Sequence, residues 1–207
     1  MKAIASLCLL LAVAFSATAQ EPESDMDTIY TSIGKRLFLP SLEFGFVHFR
    51  SDELSWAVQQ KAGIEFRISN NNEGFFRLNY DVKSSHYKLD ADNVNSVIEG
   101  RVRFTDIILG LGFRFGDRTT RFFALAQGGL TNYSFPTAWQ EGNTIMIADD
   151  QRWDPVTRVT VGAEYYLDRK TAITLELIQN EVWTDEGFFR QSGSSYAISL
   201  GIIAAMF

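Results

Sequence analysis

Apolar and charged side chains alternate along much of this chain, and this period of two limits the possible folds more than any other feature. Residues 74–84 show it most clearly. There Phe76, Leu78, Tyr80 and Val82 alternate with Arg77, Asn79, Asp81 and Lys83. Successive side chains of a β-strand point to opposite faces, whereas a helix would scatter both sets around its circumference. The pattern therefore predicts a strand with one apolar face and one charged face.

Seven further segments are predicted as strands. Alternation is clear in 56–69, in Val159–Leu167 and in 170–183, and it is weaker in 37–50, 119–133 and 195–207, which are rich in Phe, Leu, Ile, Ala and Gly. The long segment 95–115 changes phase, because Val102 and Phe104 belong to one phase and Ile107 to Phe115 to the other. A β-bulge near Thr105–Asp106 would reconcile its two halves.

The connections between these eight strands alternate in length. Residues 70–74, 116–118 and 168–170 are predicted tight turns, built from Gly, Asn and Asp residues that suit turn geometry. The other connections are 51–55, 84–96, 134–155 and 182–194, and only the first of them is short. This alternation predicts a sheet whose two ends differ.

The N-terminus has the pattern of an export signal. Lys2 precedes an apolar run from Leu7 to Phe15, and Ala17–Thr18–Ala19 gives a small-x-small cleavage site. We therefore expect residues 1–19 to be a cleaved signal peptide and residues 20–36 a short periplasmic leader. The only cysteine, Cys8, lies within this signal, so the mature chain is expected to contain neither disulfides nor thiolate sites.

Composition and hydropathy remove other classes of protein. The formal net charge of −6 makes nucleic acid a poor partner, because phosphate would repel the chain. Beyond residue 19 no stretch approaches the 18 consecutive apolar residues typical of a membrane-spanning helix.

Together these features resemble the small eight-stranded outer-membrane β-barrels of the OmpA/OmpX type, over essentially all of 30–207. The resemblance implies an all-β fold, an antiparallel up-and-down transmembrane barrel over 37–207, with both termini and the three tight turns on the periplasmic side. It also implies an outer-membrane location, contact with outer-membrane lipid and a monomer. One departure concerns the final Phe207: Tyr196, Ile198, Leu200 and Ile202 lie in the opposite phase to it, so either a bulge intervenes or the terminal signal is weak.

In this barrel the charged face points inward, where an eight-stranded sheet leaves room for little more than side chains. The predicted inward set is Lys61, Glu65, Arg67, Arg77, Asp81, Lys83, Glu99, Arg101, Arg103, Arg158, Glu164 and Glu176. Mixed signs at close quarters favour ion pairs that occlude the lumen. The same alternation also fits the opposite orientation, a secreted lipocalin-like carrier of a small apolar ligand. The missing Gly-x-Trp start, the lack of disulfides and the terminus favour the membrane barrel.

Residues that could carry chemistry are few. Ser84, Ser85, His86 and Asp90 invite comparison with lipid-modifying barrel enzymes, but Ser85 and His86 should point to opposite faces of a strand, and His48 is expected in the barrel wall. Glu141, Asp149, Asp150 and Asp154 match no calcium-loop spacing. We therefore predict a non-enzymatic barrel without catalytic, cofactor-binding or metal sites.

Interaction with a partner remains the favoured role. The outer loops would present a binding surface, with Thr144–Asp149 as the best candidate for contact with a protein partner. The competing interpretation is that this run merely prolongs two strands above the membrane. Four tryptophans near the outer loops suit the lipid interface or could pin the loops together. They are Trp56, Trp139, Trp153 and Trp183.

Overall fold

Eight antiparallel strands in chain order form one closed barrel in the computed structural model. The structure describes residues 39–67, 73–91, 96–117, 119–141, 144–167, 171–184 and 186–204. The strands are β1 (Leu39–Phe49), β2 (Ala57–Arg67), β3 (Gly74–Ala91), β4 (Ser96–Gly116), β5 (Thr120–Glu141), β6 (Thr144–Tyr166), β7 (Thr171–Val182) and β8 (Ser194–Ala204). The predicted signal peptide 1–19 and leader 20–36 lie outside the described residues, as does Phe207. Within the described ranges, no helix has the length and apolar character needed to span a membrane.

Pairing between the first and last strands closes the sheet. Their register runs from Ser41 opposite Ile203 to Phe49 opposite Ser195. Closure gives every strand two hydrogen-bonded neighbours over the body of the barrel. A strand protein in hydrocarbon requires this, because unpaired backbone groups there cost several kcal/mol each. The predicted eight-stranded up-and-down barrel is confirmed.

Two connections that the sequence predicted as long loops are mostly strand. β3 and β4 stay paired until Ala91 lies opposite Ser96, and β5 and β6 until Glu141 lies opposite Thr144. The predicted loops 84–96 and 134–155 are therefore β-ribbons that extend beyond the barrel body. The competing interpretation of Thr144–Asp149, that it prolongs two strands, is correct. Ladder hydrogen bonds continue wherever two strands share a register.

The apolar face of each strand points outward. Large apolar side chains that are more than a third exposed form a belt around the barrel: Leu42, Phe44, Phe46, Val58, Phe76, Leu78, Tyr80, Ile107, Leu109, Leu111, Phe113, Val159, Leu175, Leu177, Ile198 and Leu200. The intervening polar and charged residues are buried inside. This is the sidedness of a transmembrane barrel, and a soluble carrier would have the opposite one.

The predicted bulge near Thr105–Asp106 is wrong. The β3–β4 register passes without a break through Asp81 opposite Asp106 and Val82 opposite Thr105. The change of phase instead reflects a change of surroundings along one regular strand. Above Asp106 the barrel interior becomes apolar, and Val102 and Phe104 are buried there.

Three of the predicted inward residues consequently point outward. Glu99, Arg101 and Arg103 are exposed on the outer wall of β4, above the apolar belt. A charge is stable on the outside of a barrel once the strand has left the lipid, because water reaches it there. The sequence pattern placed all charges inward because it could not show where the lipid ends.

The last strand keeps a single phase throughout its described length. Tyr196, Ile198, Leu200 and Ile202 face outward, while Ala197, Ser199, Gly201 and Ile203 face inward. No bulge interrupts the strand up to Ala204. The bulkier set thus belongs to the outward apolar wall of the barrel.

The predicted turn at 116–118 joins β4 to β5. Gly116 has a φ of 125°, which an L side chain rarely adopts. The Asp117 carboxylate accepts hydrogen bonds from the backbone N–H groups of Thr120, at 2.6 Å, and Thr119, at 2.8 Å. These bonds lower the pKa of Asp117. The turn predicted at 168–170 lies outside the described residues, and of the turn at 70–74 only Glu73 and Gly74 are described.

The outward apolar belt gives a direct test of which surface contacts lipid. Leu109→Arg, in the middle of the belt on β4, should lower the free energy of unfolding in phospholipid vesicles by about 2–4 kcal/mol. Val97→Arg, on the same strand and also about half exposed, should cost at most about 1 kcal/mol because it lies above the lipid. Urea unfolding followed by tryptophan fluorescence measures both. Equal stability of the two variants would contradict the lipid-facing assignment.

Candidate functional site

The end of the barrel with the β4–β5 turn is here called the lower end, and the end with the two β-ribbons the outer end. The lower part of the interior contains arginines and glutamates in direct contact. Glu65 on β2 pairs with Arg77 on β3, at 2.8 Å, and with Arg114 on β4, also at 2.8 Å. Arg114 reaches across to Glu164 on β6, at 2.7 Å. The Tyr166 hydroxyl donates a hydrogen bond to the Glu164 carboxylate. Four strands are thus joined through the lumen by side chains that are almost fully buried.

A second group of charges lies next to this one and extends toward β1 and β8. Arg77 Nη1 lies 2.5 Å from Glu176, which also pairs with Lys61. Lys61 in turn lies 2.7 Å from Glu43. Glu43 accepts a hydrogen bond from the Ser199 hydroxyl at 2.9 Å. The chain of contacts therefore crosses the barrel from β6 to β1.

Nearer the outer end, Arg158 is the centre of a third group. Its guanidinium pairs with Asp81, at 2.5 Å, and with Asp106, at 3.0 Å. Lys83 also pairs with Asp106, at 2.5 Å. Gln59 donates a hydrogen bond to Asp81 at 2.9 Å. Buried charges are stable only when they are paired, and every one in this group has a partner of opposite sign.

The formal charges of the described interior side chains sum to zero. Six buried carboxylates are matched by five buried cations and by Arg67, whose side chain is 6% exposed at the lower end. The carboxylates are Glu43, Glu65, Asp81, Asp106, Glu164 and Glu176, and the buried cations are Lys61, Arg77, Lys83, Arg114 and Arg158. A neutral interior of paired charges has little excess field to attract ions of either sign.

Three of these residues were not among those that the sequence predicted to point inward. Glu43 lies in a strand too rich in Leu, Phe and Gly to show clear alternation, and the assumed bulge hid Asp106. Arg114 alternates with the outward Phe113 and Phe115, but the predicted inward set did not include it. A strict period of two carried back from Phe115 through 95–115 would have placed Asp106 and Arg114 inward.

Aromatic rings cover the lower group of charges. Phe75 and Phe123 meet edge to face with their centroids 6.1 Å apart. The Arg114 guanidinium lies 4.5 Å from the Phe75 centroid, and that of Arg77 lies 4.9 Å from the Phe123 centroid, both within range of a cation–π interaction. Gly112 makes room for the Phe75 ring, since a Cβ there would lie 2.2 Å from Cζ of Phe75.

At the outer end, the connection between β7 and β8 folds into the barrel mouth. A 3₁₀ turn over Gly187–Phe189 buries Phe188 and Phe189. Phe189 packs with Phe104, centroids 5.5 Å apart, and Phe188 packs with Phe135 at 4.8 Å. We call these two phenylalanines the aromatic lid. They belong to an apolar cluster that fills the interior above Arg158: Val47, Phe49, Leu54, Ala57, Leu89, Val102, Phe104, Ile108, Tyr133, Val156, Ile178, Val182 and Ala197.

Polar contacts attach the lid connection to the rim. Arg190 pairs with Glu53 at 3.1 Å, and Arg152 pairs with Glu186 at 2.5 Å. The bond to Glu186 raises the pKa of Arg152. Both pairs are partly exposed, so each adds little stability, but together they bind the connection to β6 and to the β1–β2 loop.

The structure separates the residues that suggested an enzyme. Ser85 is buried, where its hydroxyl donates to the Ser55 carbonyl at 2.7 Å, whereas His86 is exposed on the outer wall. The Asp90 side chain lies outside the described ones. His48 is exposed in the barrel wall, as predicted, and stacks on Trp56 with centroids 4.7 Å apart.

Two acidic residues of the β5–β6 ribbon have partners within the protein. Asp154 accepts the hydrogen bond from the Tyr133 hydroxyl at 2.7 Å, and Asp150 lies 3.4 Å from Arg152. Asp149 is exposed, and the side chain of Glu141 lies outside the described ones. Among the described residues no three acidic or histidine side chains come together as a metal site.

Three tryptophans lie on the outer surface. Trp56, Trp153 and Trp183 are each more than half exposed, and the Trp183 indole N–H donates to Thr157 Oγ1 at 2.9 Å. This position suits the interface between lipid and water, where an amphipathic ring is favoured. The side chain of Trp139 falls outside the described ones.

The paired charges predict the effect of removing one partner. Arg114→Met leaves Glu65 and Glu164 with less compensation in the interior and should lower the free energy of unfolding by about 3–5 kcal/mol. Arg67→Met removes a cation from the same Glu65 at the more accessible lower end and should cost less. Urea unfolding of both refolded variants measures the difference. A cost for Arg67→Met as large as that for Arg114→Met would contradict the proposed importance of burial.

Comparison of the sequence with known protein families and with curated proteins finds no match. Solved structures do match. Neisserial surface protein A is similar with a TM-score of 0.54 and 11% identity, covering 82% of this chain and 97% of that one. Ail of Yersinia pestis has a TM-score of 0.47 and 11% identity over 82% and 97% of the two chains, and the N-terminal barrel of Pseudomonas aeruginosa OprF has 0.40 and 11% over 83% and 100%. The chain has the fold of the small eight-stranded outer-membrane β-barrels.

Proposed function

We propose that this protein is a non-enzymatic, monomeric outer-membrane barrel with a closed lumen, which presents its two outer β-ribbons as a binding surface. The single observation that supports the closed lumen best is the neutral interior of paired charges described above. Aromatic rings lie on both sides of it, Phe75 and Phe123 below and the aromatic lid above. A channel would need a continuous path for water. The paired charges, the rings of Phe75 and Phe123, and the aromatic lid each oppose such a path.

The surface role is supported by the β5–β6 ribbon. β4 pairs with β5 only as far as Asn132, and β7 pairs with β6 only from Val156, so the ribbon from 133 to 155 extends past both neighbours. Met146 and Ile147 are exposed near its tip. Successive strand residues point to opposite faces, so each face of the ribbon presents one exposed apolar side chain near the tip. A partner protein is the proposed ligand of this ribbon.

Electrical recording tests the closed lumen. In planar bilayers the wild-type protein should give no large steady conductance, and Phe188→Ala/Phe189→Ala should also remain closed because the ionic layers beneath the lid are intact. An open porin in the same bilayers provides the positive control. Steady open-channel currents from the wild-type protein would contradict the proposal.

Shortening the ribbon separates a binding role from a structural one. Replacing residues 138–147 by a two-residue Asn-Gly turn should leave the heat-dependent gel shift of the barrel unchanged, because Tyr133 and Phe135, which contact the lid, are retained. The wild-type chain, refolded in parallel, is the control. Loss of the folded, faster-migrating form would show that the ribbon tip is needed for folding and would contradict a role in display.

A further inference from the structure

Arg101 and Arg103 form a cationic patch on the outer wall of β4. They are consecutive outward residues, so their Cα atoms lie about 7 Å apart along the strand. Both are exposed, and neither makes an ion pair with a side chain that the structure describes. Two like charges on one face of a strand repel each other, and an anion between them would remove that repulsion.

This lack of partners distinguishes the patch from most other arginines of the protein. The interior residues Arg77, Arg114 and Arg158 are paired, and so are Arg152 and Arg190 at the rim. Arg50, which directly follows β1, is also exposed and makes no ion pair with a described side chain, but it is a single charge. In a chain with a net charge of −6, two adjacent uncompensated cations are a local exception.

The neighbouring strand adds hydrogen-bonding groups to the same wall. Ser84 of β3 lies opposite Arg103, and His86 lies opposite Arg101. The next pair, Lys88 and Glu99, is an exposed ion pair at 3.2 Å, so the one acidic side chain described on this part of the wall is already matched. The patch therefore keeps its positive charge.

Directly below the patch, the same wall is apolar. Ile107, Leu109 and Leu111 continue the outward phase of β4, and Tyr80 of β3 lies opposite Ile107. Only Thr105 separates the cations from these side chains. A ligand that contacts both regions must combine an anionic head with a long apolar part.

We propose that Arg101 and Arg103 bind the phosphate of an anionic lipid in the leaflet at the ribbon end of the barrel, with its acyl chains along Ile107 and Leu109. Guanidinium groups form paired hydrogen bonds with phosphate oxygens, and basic residues next to a membrane-embedded surface favour anionic headgroups. This inference rests on the membrane location proposed above. Ser84 and His86 flank the phosphate position from the adjacent strand.

Native mass spectrometry can count the lipid directly. The full chain is refolded, placed in micelles with equal amounts of phosphatidylglycerol and phosphatidylcholine, and compared with two double variants. The wild type should retain phosphatidylglycerol preferentially, and Arg101→Gln/Arg103→Gln should weaken that preference by about fivefold for each arginine. Arg152→Gln/Arg190→Gln removes the same total charge from the same end of the barrel, but from arginines that are already paired within the protein. This variant should keep the preference for phosphatidylglycerol.

Each other outcome overturns a defined part of the inference. Equal loss in both double variants would mean that overall charge, and not this patch, selects the lipid. Displacement of phosphatidylglycerol by millimolar inorganic phosphate would assign the patch to a soluble anion. A wild-type protein that inserts into phosphatidylcholine vesicles but shows no preference would refute the lipid site alone, whereas one that fails to insert would refute the membrane location itself.

Discussion

Backbone hydrogen bonding governs the architecture of this protein. In hydrocarbon a strand can satisfy its N–H and C=O groups only through neighbouring strands, so the sheet must close, here through β1 and β8. Closure fixes the two faces of every strand as an outside and an inside. Phe44 and Leu200 thereby lie on the outer wall, while Glu43 and Ser199 meet each other in the lumen.

Closing only eight strands leaves a narrow interior, and this determines its chemistry. Charged groups placed there have little water and must compensate each other. The lumen accordingly contains interlinked ion pairs in which Glu65 and Arg77 each contact several partners. Such contacts join strands that are far apart in the sequence and so favour one register over its alternatives. Their net stability is modest, because desolvation offsets much of the attraction.

The polarity of the wall reverses where the barrel leaves the lipid. Below Asp106 the strands are charged inside and apolar outside, and above it β4 buries Val102 and Phe104 while exposing Arg101 and Arg103. The aromatic lid completes this upper region like the core of a soluble domain. One barrel thus contains two environments, and its outer end combines buried aromatic rings at the mouth with an exposed wall and exposed ribbons.

Alternation in segments such as 74–84 and 56–69 predicted the strands there and the two unlike faces of each, because a period of two belongs to the local chain. The tertiary structure decided at which height in the barrel the charged phase of a strand faces the lumen and at which height it faces outward. Glu99 and Arg103 resemble Arg77 in the sequence, yet only Arg77 lies inside, since the height of a residue relative to the lipid depends on the whole barrel. The position of Phe188 within the mouth was equally hidden, because its partners Phe104, Tyr133 and Phe135 are brought to it only when the sheet closes.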